Sequence, residues 1–457
     1  MHAPPPPIRF RKILTFWAPM AATWLMMATE GPFLAAVIAR LEDPKRNLAA
    51  YGIAFAVALI VEAPIIMMLS ASTALVDDAR SFQKLRNFTY ALNALITLLM
   101  LVLLATPLWS FITHGLIGLP TAVAHLTQGA LWLLLPWPAA IGYRRFYQGL
   151  LIRNHLTRRV AYGTVVRLSV MGATCLSLFH FANLPGAWVG CVALSAGVCA
   201  ESLASRIMAQ QVVRQLAGAG ERPGSTLPLT YRRIFHFYYP LLLTSTLAMA
   251  AHPVVTFFMG HAPASLESLA VLPVIISLAF IFRSQGLAYQ EVAIALLAAG
   301  RQNRRPVGLF ALLLAASVSG ALALIAFTPL SSLWFRDVSG LSLELTAFAL
   351  LPTRILAAMP ALSVLLCLQR AILVQQRWTT PITWATLLEV AGIISVLVLT
   401  IRGFHLAGAT AAAIAFLAGR LGGNLVLVAP CLRALHGRRG HPHGLAAPCS
   451  APEGSRP

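Results

Sequence analysis

The residues most able to do chemistry in this 457-residue chain are ionisable side chains inside long apolar runs. They are Glu30, Glu62, Arg167, His252, Arg283, Arg354 and Glu389. A charged group at membrane depth is costly, so it usually faces a cavity or a partner and often marks a substrate or ion path. The carboxylates could bind a proton or a sodium ion. The arginines could bind an anion, because a guanidinium stays charged and donates paired hydrogen bonds.

Several of these residues also have a purely structural interpretation. Glu30 could cap a kink or face the outer headgroups, and Glu62 could be a hydrogen-bonded carboxylate between helices. His252 could titrate near neutral pH or be a packed polar residue. Arg354 falls near the middle of its apolar run, where it could bind an anion or form a salt bridge to an acid in another span. These alternatives remain open at the level of sequence.

Other charges are best considered in pairs. Arg167 and Glu389 occupy equivalent positions of an internal repeat and could pair across the two halves or within separate networks. Arg283 is the deeper charge of its apolar run and a candidate cavity residue. Arg420 and Glu201 lie nearer the ends of their runs, where snorkelling or ion pairing is expected.

The composition places these charges in a membrane protein. The chain is 58% hydrophobic and 11% charged, with a mean hydropathy of +0.76, whereas a soluble domain has about 25% charged residues. The net charge of +20 comes from basic residues in short loops, so we do not expect a nucleic-acid partner. The six cysteines show no CxxC spacing, which predicts neither a disulfide framework nor a metal site.

We predict an all-α polytopic protein with twelve transmembrane helices. The spans are residues 13–39, 49–75, 89–112, 121–143, 160–181, 185–207, 233–260, 266–294, 306–335, 343–367, 380–401 and 406–431. The outer loops carry few cations, namely Arg40, Lys45, Arg46, Arg336 and Arg402. Most of the remaining Lys and Arg residues fall on the opposite side. This distribution predicts a cell (inner) membrane protein with both termini in the cytoplasm.

A repeat divides the chain into two halves. Arg11, Phe16, Pro19 and Pro32 recur 221 residues later as Arg232, Phe237, Pro240 and Pro253. The second copy has Ala251 and His252 where the first has Glu30 and Gly31. Six spans per copy give parallel repeats. The predicted domains are a lead at 1–12, bundles at 13–207 and 232–432, a linker at 208–231 and a disordered tail at 433–457. Pro32, Pro253, Pro352 and Pro360 are expected to kink their helices.

Four short motifs show a resemblance to a known family. They are Ala50-Tyr51-Gly52-Ile53-Ala54, His252-Pro253-Val254-Val255, Pro352-Thr353-Arg354-Ile355-Leu356 with Pro360, and Leu406-Ala407-Gly408-Ala409-Thr410. With the repeat, the chain resembles the MOP exporter superfamily, which includes the MATE exporters, and within it the progressive ankylosis (ANK) family. The resemblance implies a V-shaped pair of bundles, alternating access and an anionic phosphate or carboxylate cargo. The family's acidic residue is present as Glu30, whereas an arginine expected about five residues later is replaced by Ala35 or Ala36.

The prediction is therefore a monomeric, MATE-like transporter in the lipid bilayer that exports a small, anionic solute. It would need no cofactor and would be coupled to H⁺ or Na⁺, with Arg354 as the main anion contact and Arg167 and Arg283 in support. Alternatives within the superfamily are a lipid-linked oligosaccharide flippase and a cationic multidrug exporter. Outside transport, the alternatives are a membrane scaffold and a membrane-embedded enzyme. We predict no enzyme, because Walker A, GxSxG and HExxH patterns are missing from the sequence.

Overall fold

The computed structural model describes residues 8–76, 78–154, 156–218, 229–249, 251–298, 300–376, 378 and 380–435. Within these ranges the chain is almost wholly helical and contains no strand. The helices form twelve segments, numbered here in chain order. Segments 1 to 6 are Phe10–Ala28 with Glu30–Ile38, Pro44–Glu62 with Met68–Leu75, Ala79–Ala105, Thr121–Leu133 with Pro136–Arg153, Thr157–Phe181, and Gly186–Met208. Segments 7 to 12 are Tyr231–Met249 with Ala251–Gly260, Ser265–Ala298, Arg304–Phe327, Leu343–Leu356 with Met359–Gln375, Thr380–Val398, and Gly408–Leu435.

Each of the twelve predicted spans coincides with one helical segment. Ten of the segments contain a helix long and apolar enough to cross a membrane, and segments 4 and 7 are the other two. Segment 4 is interrupted just before Pro136 and carries two adjacent cations, Arg144 and Arg145. It continues to Arg153, about ten residues beyond the predicted span. Arg144 and Arg145, which follow the predicted fourth span directly, are therefore part of this helix.

Prolines explain most of the helix interruptions. Pro32 has no amide hydrogen and cannot donate to Ala28, so segment 1 breaks at Thr29 and restarts at Glu30. Segment 10 breaks just before Pro360. Pro352 lies inside a continuous helix and causes no interruption there. Pro253 lies near the start of Ala251–Gly260, after the gap at residue 250, which is outside the described residues.

The predicted linker is partly helical. Residues Gln210–Gly218 form a short helix whose Val212 is buried against segment 3 and its neighbours. Residues 219–228 of the linker, residues 1–7 of the lead and residues 436–457 of the tail lie outside the described part of the chain. The predicted lead ends later than observed, because segment 1 begins at Phe10.

The first segment of each half packs on the other half. Ile13 in segment 1 is fully buried among residues of segments 8 and 9, including Tyr289 and Phe310. Its repeat equivalent, Ile234 in segment 7, is fully buried among residues of segments 2, 3 and 4, including Phe146. Segments 1 and 7 therefore cross between the halves and tie them together.

Segments 2 and 8 pack directly on each other. A Cβ atom added to Gly52 would lie 2.6 Å from the Cγ atom of Pro273, so only glycine fits there. Gly52 and Pro273 are 221 residues apart and thus equivalent in the repeat. Equivalent residues that touch each other lie close to the axis relating the two halves.

Polar contacts join the halves at the opposite end from the start of segment 1, which the loop charges predict to be the outer end. Lys45 forms an ion pair with Glu267, and its Nζ atom lies 3.9 Å from an oxygen of Glu344. Arg40 Nη2 donates a hydrogen bond of 2.5 Å to the Asp337 carbonyl. We call this set the outer contacts. They cover the interface between the halves at that end.

Candidate functional site

Buried charges gather in two places, one in each half. The first-half cluster consists of Glu30, Arg144, Gln148, Arg167 and Glu201. Its side chains come from segments 1, 4, 5 and 6. The break before Pro32 starts a new helix at Glu30. Segment 6 approaches segment 5 closely at Gly197, where an added Cβ atom would lie only 2.9 Å from the Arg167 carbonyl oxygen.

The first-half cluster neutralises itself. Arg167 Nη2 lies 2.5 Å from Glu30 Oε2, and Arg167 Nη1 lies 3.8 Å from Glu201 Oε2. Arg144 forms an ion pair with the same Glu201 oxygen, and Gln148 Nε2 donates to Glu201 Oε1 at 3.0 Å. Two carboxylates thus face two guanidinium groups. Paired in this way, the charges can be buried in a membrane protein.

Two carboxylate oxygens near this cluster are free to take a proton or an ion. Glu30 Oε1 and Glu62 Oε2 are both buried and have no hydrogen-bond partner among the described residues. Glu62 is only 5% exposed and lies within electrostatic reach of Arg145. A buried, unpartnered carboxylate oxygen is unfavourable, so protonation or ion binding would stabilise it.

The second half contains a cavity of about 270 Å³ at the corresponding level. We call it the second-half cavity. Its polar lining consists of Arg283, Arg370, Thr386, Glu389 and Arg420. Its apolar lining includes Ala251, Leu356, Met359, Ile393 and Phe416. An apolar cavity with a few convergent polar groups is typical of a small-molecule site.

The cations of the second-half cavity outnumber its acids. Arg420 Nη2 lies 3.0 Å from Glu389 Oε1, which pairs one arginine. Arg370 Nη2 lies 3.5 Å from Thr386 Oγ1, a weak contact. The Nε atoms of Arg283, Arg370 and Arg420 have no hydrogen-bond partner within the described ranges. Three guanidinium groups and one carboxylate give the cavity a positive potential, which attracts anions.

The two sites are equivalent in the repeat, but two pairs of equivalent positions carry opposite charges. Glu389 is 222 residues after Arg167, and Arg283 is 221 residues after Glu62. Segments 5 and 6 pack in the same register as segments 11 and 12. A Cβ atom added to Gly419 would lie 2.8 Å from the Glu389 carbonyl oxygen, and one added to Gly197 would lie 2.9 Å from the Arg167 carbonyl oxygen. Arg167 and Glu389 do not pair with each other, since each has its ion pair within its own half.

Two predicted site residues are not part of either site as described. One is Arg354, and the other is His252. Arg354 is exposed, donates from Nε to the Ala326 carbonyl at 3.2 Å, and stacks over the Phe327 ring at 5.7 Å. It is not among the residues that line the second-half cavity. The main anion contact predicted from its depth is therefore not supported by its position. His252 lies in the helix Ala251–Gly260, and its side chain is outside the described part.

Sequence reasoning missed four charged members of the two sites. Arg144 and Arg370 lie just beyond the ends of their predicted spans, and Arg420 and Glu201 were expected to snorkel or to form ion pairs near the ends of theirs. In the structure all four lie within helices and face polar partners or the cavity. The repeat offered one signal, because Gln148 and Gln369 are equivalent and mark the segments that supply Arg144 and Arg370. In the part of the chain that is described, no group of His, Cys, Asp and Glu is arranged to hold a metal ion.

Comparison with known proteins identifies the fold. No family model matches the sequence, and no curated protein matches it significantly. An inward-facing multidrug resistance MATE family transporter of the MOP superfamily matches with a TM-score of 0.68 and 13% identity, over 91% of this chain and 94% of that one. The lipid II flippase MurJ matches with a TM-score of 0.68 and 12% identity, over 92% and 91%.

A third solved structure is a MOP superfamily transporter from Pyrococcus furiosus, described by the reverse polarity of its binding pocket. It matches with a TM-score of 0.62 and 14% identity, over 93% of this chain and 96% of that one. Identities at this level establish the fold alone. The chain therefore has the all-helical fold of MOP superfamily transporters. Together with its many apolar helices, this makes it a multi-pass membrane protein. The matching proteins are transporters and a flippase rather than enzymes.

Proposed function

We propose that the protein is a membrane transporter that moves a small anionic solute across the bilayer by alternating access. The observation that carries the proposal is the second-half cavity, in which three arginines face one glutamate inside a transporter fold. A cationic cavity favours phosphate- or carboxylate-bearing solutes and repels lipophilic cations. The resemblance to the ANK family points to the same cargo.

Coupling to an ion is assigned to the first half. Glu30 and Glu62 each have a buried oxygen without a partner among the described residues, and both lie near arginines whose charge they balance. Binding of H⁺ or Na⁺ would change that balance. The direction we propose is export, with both termini in the cytoplasm, the outer contacts closed and the outer end opening during the cycle.

The size of the cavity favours this function over its main alternative. A lipid II flippase shares the fold, but a cavity of about 270 Å³ lies below the usual range for drug-sized ligands and is far smaller than a lipid-linked oligosaccharide requires. A multidrug exporter of cations is disfavoured by the excess of arginine. A non-transporting scaffold does not require such a cavity.

The test is transport by the purified protein in proteoliposomes. The panel contains inorganic phosphate, a phosphate monoester, a dicarboxylate, a lipophilic cation and a lipid-linked sugar, each with and without a proton or sodium gradient. We expect gradient-stimulated movement of at least one anion and none of the cation. Movement of the cation or the lipid-linked sugar, without any anion, would refute the proposal.

A further inference from the structure

The two halves have different residues at one equivalent position, which is Glu30 in the first half and Ala251 in the second. In the first half, Glu30 enters the polar cluster from segment 1 and pairs with Arg167. The equivalent residue in segment 7 is Ala251, which lines the second-half cavity. The second half also lacks an equivalent of Glu201, because Gly423 stands at that position, 222 residues later. The second half therefore has less carboxylate around its cations, and a cavity lies beside them.

Glu389 lines this cavity. A Cβ added to Gly423 would lie 3.4 Å from Glu389 Oε2, where ordinary van der Waals contact begins. In the first half, the acid at this position accepts hydrogen bonds from Arg144 and Gln148. In the second half, Gln369, the equivalent of Gln148, donates instead to the Asn424 carbonyl at 3.1 Å. The amide that helps to close the first-half cluster is thus bonded elsewhere in the second half.

We infer that the solute binds in the second half only, and that Ala251 is the residue that opens this site. The inference rests on the proposed transport of an anion and assigns the place where that anion binds. A glutamate at position 251, as at position 30, would extend a carboxylate into the cavity and occupy the place of the solute's own anionic group.

The arginines of the cavity have different tasks. Glu389 holds Arg420 through the 3.0 Å ion pair and offsets its charge. Arg283 and Arg370 have no ion pair within the described residues, and each has a buried Nε without a partner. These two cations are the ones available to the solute. Their combined charge matches a doubly charged oxyanion, and paired N–H groups suit phosphate or carboxylate oxygens.

Equilibrium binding to the purified full-length protein tests this assignment without requiring transport. The probes are inorganic phosphate and a four-carbon dicarboxylate, measured separately by calorimetry at low salt, so that the two sources of oxyanion are distinguished. We expect Ala251→Glu to weaken binding of the preferred probe at least tenfold. Ala251→Gln has similar volume without charge and should weaken binding less.

A double variant tests the cations. Arg283→Ala with Arg370→Ala should abolish measurable binding, whereas Arg354→Ala removes an exposed arginine outside the cavity and should bind as the wild type does. If Ala251→Glu does not fold, the Ala251→Gln and arginine variants decide the matter. Wild-type affinity in both Ala251→Glu and the double arginine variant would place the solute elsewhere and overturn the inference.

The binding results also separate this inference from the proposed function. Binding that depends on Ala251 and the two arginines, without movement of any anion in proteoliposomes, would support the site and refute the transport proposal. Anion transport that is unchanged in the Ala251→Glu and double arginine variants would support transport and refute the site. If the wild type neither binds nor moves an anion, both are refuted.

Discussion

Trp17 and Tyr238 occupy equivalent positions of the repeat, and each donates a hydrogen bond to the backbone of the opposite half. Trp17 Nε1 donates to the Gln285 carbonyl at 3.3 Å, and Tyr238 Oη donates to the Pro64 carbonyl at 2.5 Å. The two acceptors are themselves 221 residues apart. The contact between the halves is therefore made twice, once by each first segment, and the two copies are related by the axis near Gly52 and Pro273.

The first prediction concerns these crossing contacts. Tyr238→Phe removes one buried hydrogen bond and leaves the Pro64 carbonyl without its donor, so it should cost about 1–3 kcal/mol of stability. Thermal unfolding of the purified protein measures the loss. The matched control is Tyr239→Phe, because Tyr239 is 48% exposed and its hydroxyl is expected to contribute little. Equal effects of the two substitutions would contradict the assignment.

The second prediction concerns the first-half carboxylates. Glu62→Gln removes a charge that has no direct ion pair in the described ranges, so the protein should fold and lose only gradient-driven accumulation of solute. Glu30→Gln should also lose accumulation, and it should lower thermal stability because it leaves the buried Arg167 without its closest acid.

The control for these carboxylates is exchange of labelled for unlabelled solute without a gradient, measured in the same proteoliposomes. Exchange should persist in Glu62→Gln, since the second-half cavity is untouched. Uphill accumulation equal to that of the wild type in both single variants would remove Glu30 and Glu62 from the coupling step.

The third prediction concerns the outer contacts. Glu267→Gln removes the main ion-pair partner of Lys45, and the halves should then separate more readily at the outer end. A cysteine introduced at Ala262, a buried residue beside Gly408, should react faster with an impermeant thiol reagent in this background than in the wild type. Asp43→Asn is the control, because Asp43 pairs only with Arg46, three residues away, among the described residues. Slower or unchanged labelling in Glu267→Gln would argue against a closed outer end.

The fourth prediction concerns the topology. Phe181, at the end of segment 5, is 90% exposed, and Tyr231, at the start of segment 7, is 51% exposed. In a cysteine-free background, Phe181→Cys should react with an impermeant reagent in intact cells, and Tyr231→Cys should react only after permeabilisation. The reverse pattern would invert the orientation predicted from the loop charges.

The fifth prediction concerns stability at low pH. Asp78 caps segment 3: its Oδ1 accepts from the Ser81 amide at 2.7 Å, and its own amide donates to Ser81 Oγ at 2.9 Å. The hydrogen bond from the Ser81 amide, with a further contribution from the Ser81 side chain, holds the pKa of the Asp78 carboxyl below its usual value. A lowered folded-state pKa adds stability above the unfolded pKa, and this stability is lost as the pH falls through the folded value.

Asp78→Ala should therefore cost about 1 kcal/mol near neutral pH. The difference from the wild type should shrink as the pH falls below about 4. Asp78→Asn keeps a capping oxygen without a titrating charge, so it should show a smaller loss and no such pH dependence. Denaturation midpoints across this pH range measure both variants. A pH-independent loss in Asp78→Ala would contradict a role for the charge.

The sequence was sufficient for the helical segments and the repeat, because apolar length and recurring prolines are local signals. It also singled out Glu30, Arg167, Arg283 and Glu389, which are charges deep within apolar runs. It named Arg354 on the same ground, although depth along a helix does not reveal which side a residue faces. Neighbouring Thr353 is only 1% exposed, whereas Arg354, about 100° further around the helix, is exposed.

The sequence also failed where a charge near the end of an apolar run resembled a loop residue. Arg144 is 5% exposed because Glu201, 57 residues later in the chain, provides its counter-charge. Such a partner is visible only once the segments are packed together. For the same reason, a cavity that results from the small size of Ala251 could not be located from the sequence, although the replacement of Glu30 in the second copy was apparent.

The crossing of segments 1 and 7 has a consequence for biogenesis. Segment 1 is synthesised before the residues that bury Ile13, such as Tyr289 and Phe310, which lie more than 270 residues later in the chain. Until then the early face of segment 1 must be covered by lipid or by an insertion factor. A first half synthesised alone would keep that face uncovered. If the two halves were produced as separate polypeptides in one cell, segment 1 would have to pack on the second half and segment 7 on the first to form a complete molecule.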